Sequence, residues 1–147
     1  MKHLAALILL LGAVEACAEP LTASHRATLR EALDDITTAA LNQDYQLVKV
    51  QPVDSALVKR GFDDPGIRIV FIGNPEQMRH MGKVDAHLLA LLPLRLTLRH
   101  EGDVVKVSSD DLAPWAEQAA NPESRQLVET WQADLRAILD DYANPRQ

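Results

Sequence analysis

Cysteine is almost absent from this sequence, which has a single one, Cys17, among 147 residues. Aromatic residues make up only 4% of the chain, so we expect a core of leucine, valine, isoleucine and alanine. Basic residues are outnumbered, because 15 lysines and arginines stand against 21 acidic residues and leave a formal net charge of −6. This balance argues against nonspecific nucleic-acid binding, and it gives no reason to expect an anionic membrane as partner.

The sequence also lacks an apolar run of about 20 residues, the length that a membrane-spanning helix needs. The run Leu4–Val14 follows a short basic start and leads into the small residues Ala16-Cys17-Ala18. This is the layout of a secretory signal peptide, so residues 1–18 are predicted to be removed on export to the periplasm or the medium. A lipoprotein acylated at Cys17 fits less well, because Glu15 stands where such signals carry a small or apolar residue.

Cleavage after Ala18 would leave residues 19–147 as a single domain without any thiol. Such a chain has no disulfide, no thiolate nucleophile and no cysteine ligand for a metal. A protein without cysteine suits an oxidising compartment, where a free thiol is a liability.

Apolar periodicity predicts the order of helices and strands in this domain. Helices are expected over Ser24–Gln43 (with Ser24 as N-cap), Asp54–Gly61, a short stretch ending at Gly82, Val84–Leu91, Asp111–Ala119 and a C-terminal stretch, and strands over Tyr45–Val53, Ile67–Ile72, Leu94–His100 and Asp103–Ser108. Alternating apolar and polar side chains in the strands imply a sheet with one covered face. The predicted fold class is α+β: a two-layer domain with a small, mostly antiparallel or mixed sheet and helices packed on one face.

A Gly-Asn-Pro sequence marks the junction between a strand and a helix. Gly73 allows a sharp turn off the strand, Asn74 can cap the helix and Pro75 can take its first position. Pro93 is expected to open a strand at a position that needs no hydrogen-bond donor.

Three segments in order, Ile69–Glu76, Leu91–Leu96 and Val105–Ser108, resemble the bacterial family called domain of unknown function 302. The resemblance covers roughly residues 29–115, followed by C-terminal helices over 111–143, and the run Lys59-Arg60-Gly61-Phe62 is similar to an exported subset of that family. It implies a compact α+β fold, and it implies no activity, cofactor or catalytic residue. It also implies a strand before the first helix, for which this chain leaves little room.

A cluster of methionines and histidines suggests one site. Met78, His80, Met81 and His87 lie within ten residues, and these side chains are ligands for copper or haem iron in oxidising compartments. Their spacing fits no standard site, so the simpler interpretation is methionine in the core and histidine on the surface.

A stripe of basic residues suggests a second candidate site. Arg95, Thr97 and Arg99 point off one face of their strand, and Arg68 and Lys106 are expected to point off the equivalent faces of theirs. Arginine suits carboxylates and other oxyanions, so this surface would bind an anion or form a homodimer interface. The simpler interpretation is a solvated face paired with some of the acidic residues.

Ser108, Ser109, Asp110, Asp111 and His100 cluster near the hairpin, but no Gly-x-Ser-x-Gly motif accompanies them. The sequence therefore predicts a non-catalytic accessory protein, without a cofactor, that binds a small ligand, an anion or a protein partner. A copper- or haem-handling protein is the first alternative, and a hydrolase or transferase is the second.

Overall fold

The computed structural model describes residues 20–62 and 66–145 of the chain. The helices and strands in that part are β1 (Leu21–Arg26), α1 (Leu29–Leu41), β2 (Gln46–Pro52), α2 (Asp54–Val58), β3 (Ile67–Gly73), α3 (Pro75–Val84), a 3₁₀ helix (Ala86–Leu91), β4 (Leu94–Glu101), β5 (Val104–Ser109), α4 (Ala113–Glu117) and α5 (Pro122–Ala143). The predicted signal peptide lies outside the described residues, so its removal stays a prediction.

The five strands form one sheet in the order β1-β5-β4-β3-β2, and every neighbouring pair is antiparallel. Strand β4 shows the alternation most clearly, because Leu94, Leu96 and Leu98 are buried while Arg95 and Arg99 are exposed. The buried strand side chains of the described residues all lie on one face, which the helices cover. We call the opposite side of the sheet the open face. The predicted α+β two-layer architecture is therefore confirmed.

Helix α5 supplies the centre of the helical layer. The stripe Val128, Trp131, Leu135, Ile138 and Tyr142 is fully buried, as its spacing of three and four residues requires for one helix face. Burying several large side chains on one stripe drives the docking of a helix far more than its intrinsic propensity does.

The start of the chain differs from its prediction. The expected helix over Ser24–Gln43 is wrong at its beginning, because Ser24 lies in strand β1 and α1 begins only at Leu29. The N-cap is Thr28, whose hydroxyl accepts from the Glu31 backbone N–H at 3.3 Å while the Glu31 carboxylate accepts from the Thr28 backbone N–H at 2.9 Å. Strand β1 fills the place for which the sequence left little room, and it pairs with β5 from Leu21 to Arg26.

The junction between β3 and α3 follows its prediction. The Asn74 side chain accepts hydrogen bonds from the backbone N–H groups of Glu76 and Gln77 at 3.0 and 3.1 Å, and Pro75 is the first helical residue. The expected end at Gly82 is wrong, because glycine is tolerated inside a helix and α3 continues to Val84. Pro93 immediately precedes β4, and the Leu92–Pro93 peptide bond is cis.

Among residues 20–62 and 66–145, no helix is both long enough and apolar enough to cross a bilayer.

Candidate ligand-binding site

A cleft of about 810 Å³ opens at one end of the sheet, where β3 and β5 finish and β4 begins. Phe71 and Arg95 are register partners on β3 and β4, so their side chains stand side by side on the open face at this end. The remaining wall comes from residues 90–94, which run from the 3₁₀ helix into β4, from residues 110–112 after β5, and from Trp115 of α4. The cleft thus joins the open face of the sheet to the edge of the helical layer.

The charged part of the cleft is an arginine–aspartate pair. Nη2 of Arg95 lies 3.0 and 2.8 Å from the two carboxylate oxygens of Asp110. Both side chains are half-exposed, so water screens the pair and its contribution to stability is small. In the described part of the chain no other group hydrogen-bonds this guanidinium, so Nε and Nη1 are available to a ligand.

The cleft contains two of the few aromatic residues of the chain. The sequence contains two tryptophans and two phenylalanines, and one of each, Trp115 and Phe71, lines this cleft. Both side chains are only partly buried, whereas Trp131 is fully buried in the core. Partly exposed aromatic rings beside charged groups are typical of binding surfaces, because they offer apolar area with little loss of side-chain entropy.

A buried amide from α5 holds the α4 wall in place. Oε1 of Gln132 accepts from the Leu112 backbone N–H at 2.7 Å, and its Nε2 donates to Oδ1 of Asp111 at 2.7 Å. The same Asp111 oxygen also accepts from the Ala113 backbone N–H at 3.1 Å. Sequence reasoning missed Gln132, since the only signal for it is a polar residue beside the apolar stripe of α5.

The prediction that the basic stripe lies on one face of the sheet holds for four of its five residues. The structure brings Arg95, Thr97 and Arg99 to the open face, and Lys106 of β5 lies directly opposite Arg99. The expectation for Arg68 is wrong, because it pairs with Leu98 on the helix-covered side of the sheet, where its Nη1 donates to the Ile67 carbonyl at 2.9 Å.

The methionine–histidine cluster is split between core and surface. Met81 is fully buried, whereas His80 and His87 are exposed, and Nε2 of His80 lies 2.9 Å from a Glu123 carboxylate oxygen. Met78 packs beside Gly73 at the end of β3. Within the described residues, no three or more histidine, cysteine or acidic side chains are grouped so that they could hold a metal ion. The placement of these four residues gives the copper or haem alternative no support.

The polar residues near the hairpin do not come together in one site. Ser108 pairs with Thr97 and faces the open side, whereas His100 pairs with Val105 and lies on the other side. Ser109 faces the helices, as His100 does, but it pairs with Leu96, four positions from His100 along β4, and its hydroxyl lies 3.3 Å from the Arg95 carbonyl oxygen. A serine–histidine–aspartate arrangement needs these groups within hydrogen-bond reach of one another, so the strands do not assemble one here.

Two partly buried polar clusters were not foreseen from the sequence. Near one edge of the sheet, Nε2 of His25 lies 3.1 Å from a carboxylate oxygen of Asp35, and its ring packs 4.5 Å from that of Tyr142. The His25–Asp35 contact is close but lacks the alignment of a hydrogen bond. In the second cluster the Tyr45 hydroxyl donates to the Asp134 carboxylate at 2.9 Å, and the Gln77 side-chain amide lies 3.2 Å away. The first cluster connects α1 and α5 to strand β1, and the second connects α3 and α5 to the segment between α1 and β2.

These features make the chain a small α+β domain with an open-faced antiparallel sheet and a cleft at the end of that sheet. The chain belongs to the family described as Domain of unknown function DUF302, which matches residues 21–142 and confirms the resemblance beyond the expected residues 29–115 at both ends. The crystal structure of an uncharacterized conserved DUF302 protein from Bacillus stearothermophilus has a similar fold, with a TM-score of 0.73 over 82% of this chain and 95% of that one at 16% identity. No curated protein matches this sequence.

Proposed function

We propose that this protein is an exported, non-catalytic domain that binds a small organic ligand in the cleft at the end of the sheet. The observation that carries the proposal is the meeting of Arg95, Phe71 and Trp115 around a cleft of about 810 Å³. Ligand sites in proteins are typically clefts of roughly 300–1,000 Å³ with apolar and aromatic walls and a few converging polar groups.

The lining of the cleft suggests which kind of ligand it takes. The polar end carries one cation, Arg95, and two carboxylates, Asp110 and Asp111. Charges of both signs suit a ligand whose polar end both accepts and donates hydrogen bonds, such as the zwitterionic end of an amino acid. The aromatic end suits an apolar body. A small molecule that combines the two is therefore the best match.

Two further observations support a binding role outside the cytoplasm. Ser108 and His100 point to opposite faces of the sheet, so this pair offers no nucleophile with an adjacent base. The signal-peptide layout of residues 1–18 favours export, with a mature N-terminus at Glu19 that sequencing of the secreted protein would establish.

The fluorescence of Trp115 provides a direct test. Trp115 lines the cleft while Trp131 is buried in the core, so a ligand in the cleft should alter the emission of Trp115 alone. The mature protein is titrated with phenylalanine, benzoate, benzylamine and inorganic phosphate. We expect a saturable response that is strongest for phenylalanine and that disappears in Trp115→Phe.

Substitution of Arg95 tests whether the fluorescence response comes from a ligand bound in the cleft. Arg95→Ala should weaken the response to phenylalanine about tenfold or more, because a charged hydrogen bond to the carboxylate is lost. Arg136→Ala removes an equivalent charge from an exposed position of α5 and should leave the response unchanged. The proposal fails if none of the probes gives a saturable response, or if Arg95→Ala responds like the wild type.

A further inference from the structure

We propose that the open face of the sheet is a docking surface for an acidic protein segment. The surface consists of Thr97 and Arg99 on β4 and Lys106 and Ser108 on β5, and we call it the cationic face. Thr97 lies directly opposite Ser108, and Arg99 lies directly opposite Lys106. This site is separate from the cleft, and it does not depend on ligand binding there.

The pairing of Arg99 with Lys106 is unfavourable within the protein alone. Like charges at directly opposite positions of an antiparallel pair repel each other and destabilise the sheet. Among the described residues neither cation forms an ion pair, because the Asp103 carboxylate is engaged by Arg26, and Glu101, which shares the open face of β4 with Arg99, makes no ion pair with it. Such a conflict between local electrostatics and stability is expected where the side chains serve a partner.

The negative net charge of the chain makes the cationic face distinct from the rest of the surface. The chain carries a formal charge of −6, yet the cationic face presents two basic side chains side by side. An acidic partner would be attracted to this face and repelled by the rest of the protein, which would fix its position. A symmetric homodimer through the same face would bring four cations together, so a second copy is disfavoured as the occupant.

The neighbouring strand points to a polypeptide rather than a bare polyanion. Ile67 and Ile69 of β3 lie on the open face opposite Arg99 and Thr97, and both remain only partly buried. The occupant therefore meets an apolar strip beside the cations. An acidic segment with interspersed apolar or aromatic residues can contact both the cations and the apolar strip, whereas phosphate or a nucleic-acid backbone can contact only the cations.

The experiment measures the anisotropy of labelled poly-L-glutamate and of a labelled glutamate–tyrosine copolymer, at low and physiological ionic strength. Arg99→Ala/Lys106→Ala should bind both polymers about tenfold more weakly than the wild type. The control Arg30→Ala/Arg136→Ala removes the same charge from exposed helix positions and should bind within about twofold of the wild type. Ile69→Ser should weaken binding of the copolymer more than that of poly-L-glutamate.

Equal losses in the two double variants would overturn the proposal, because net charge alone would then explain the binding. Tighter binding of duplex DNA or phosphatidylglycerol vesicles than of the copolymer, with the same dependence on Arg99 and Lys106, would also overturn it in favour of another anion. The Trp115 response to phenylalanine should survive in Arg99→Ala/Lys106→Ala, so the cleft and the cationic face can fail independently.

Discussion

The two tyrosines of the chain are both buried, and each hydroxyl donates a hydrogen bond inside the protein. Burial raises the pKa of Tyr142 to about 12, with a smaller contribution from the nearby Asp35 carboxylate. Burial also raises the pKa of Tyr45, and the adjacent Asp134 carboxylate adds to this effect. Neither phenol can become a phenolate without placing a charge in the packed layer.

We therefore expect the free energy of unfolding to fall as the pH rises from about 10 to 12. An unfolded tyrosine loses its proton near pH 10, while Tyr142 in the folded protein keeps it up to about 12. The stabilising effect is complete below pH 10, and it is lost by at most about 1.4 kcal/mol per pH unit for each tyrosine. Tyrosinate absorbance should thus appear at a higher pH in native than in urea-unfolded protein.

Tyr142→Phe provides the control for this titration, since it leaves Tyr45 as the single tyrosine. The native variant should show no tyrosinate where the unfolded variant titrates. A native wild-type protein that titrates both tyrosines near pH 10 would contradict the burial that the structure assigns to them.

Individual residues were predictable from the sequence where their role is local. Asn74 caps α3 and Pro75 opens it because both effects depend only on the next three residues. The Gln77 side chain was not predictable in this way, because it lies beside the Tyr45 hydroxyl, 32 positions away in the chain. His25 with Asp35 was missed for a similar reason, because no local pattern brings a strand residue onto a helix.

At the scale of elements, Gln132 links α4 to α5 and thereby holds one wall of the cleft. Gln132→Ala should lower the free energy of unfolding by roughly 2 kcal/mol, because the Leu112 N–H and the Asp111 carboxylate lose their buried partner. Chemical denaturation measures this change, and the emission of Trp115 should shift towards that of an exposed tryptophan. The exposed Gln126→Ala on the same helix is the control, and an equal loss in both variants would contradict the role of Gln132.

The pairing of β4 with β5 predicts a substitution that stabilises the protein. Lys106→Glu should raise the free energy of unfolding by about 0.5–1 kcal/mol, because it replaces a repulsive cross-strand pair with an attractive one. Lys106→Ala should give a smaller gain, since it removes the repulsion and adds no attraction. Thermal and chemical denaturation of the three proteins check the order, and a Lys106→Glu variant less stable than the wild type would refute it.

Strand β1 shows why one element escaped sequence analysis. The helical spacing of Leu29, Leu33 and Ile36 is real, but it begins only after Thr28. The six residues of β1 have little apolar character of their own and gain their structure by pairing with β5, as Ala23 does with Val107. A strand whose stability comes from a partner more than 80 positions away leaves little trace in local sequence.

At the scale of the whole molecule, the α+β layering was predictable because β4 and α5 are each apolar on one side only. The sequence could not predict which side of β3 faces the helices. Its two sides are equally apolar, with Ile67, Ile69 and Phe71 on one and Val70 and Ile72 on the other. That ambiguity is the reason why Arg68 was assigned to the wrong face. The cleft was beyond prediction as well, because it forms only when three strand ends and two loops meet.

Native mass spectrometry of the mature protein, purified from cells that export it, tests the central claim most directly. The wild type should carry one non-covalent small molecule per chain, or take up one phenylalanine when it is added. Arg99→Ala/Lys106→Ala should retain that molecule, and Arg95→Ala should lose it, because Arg95 lines the cleft and Arg99 and Lys106 do not. A wild type that binds neither an endogenous molecule nor phenylalanine, or an Arg95→Ala variant that binds as well as the wild type, would contradict the account.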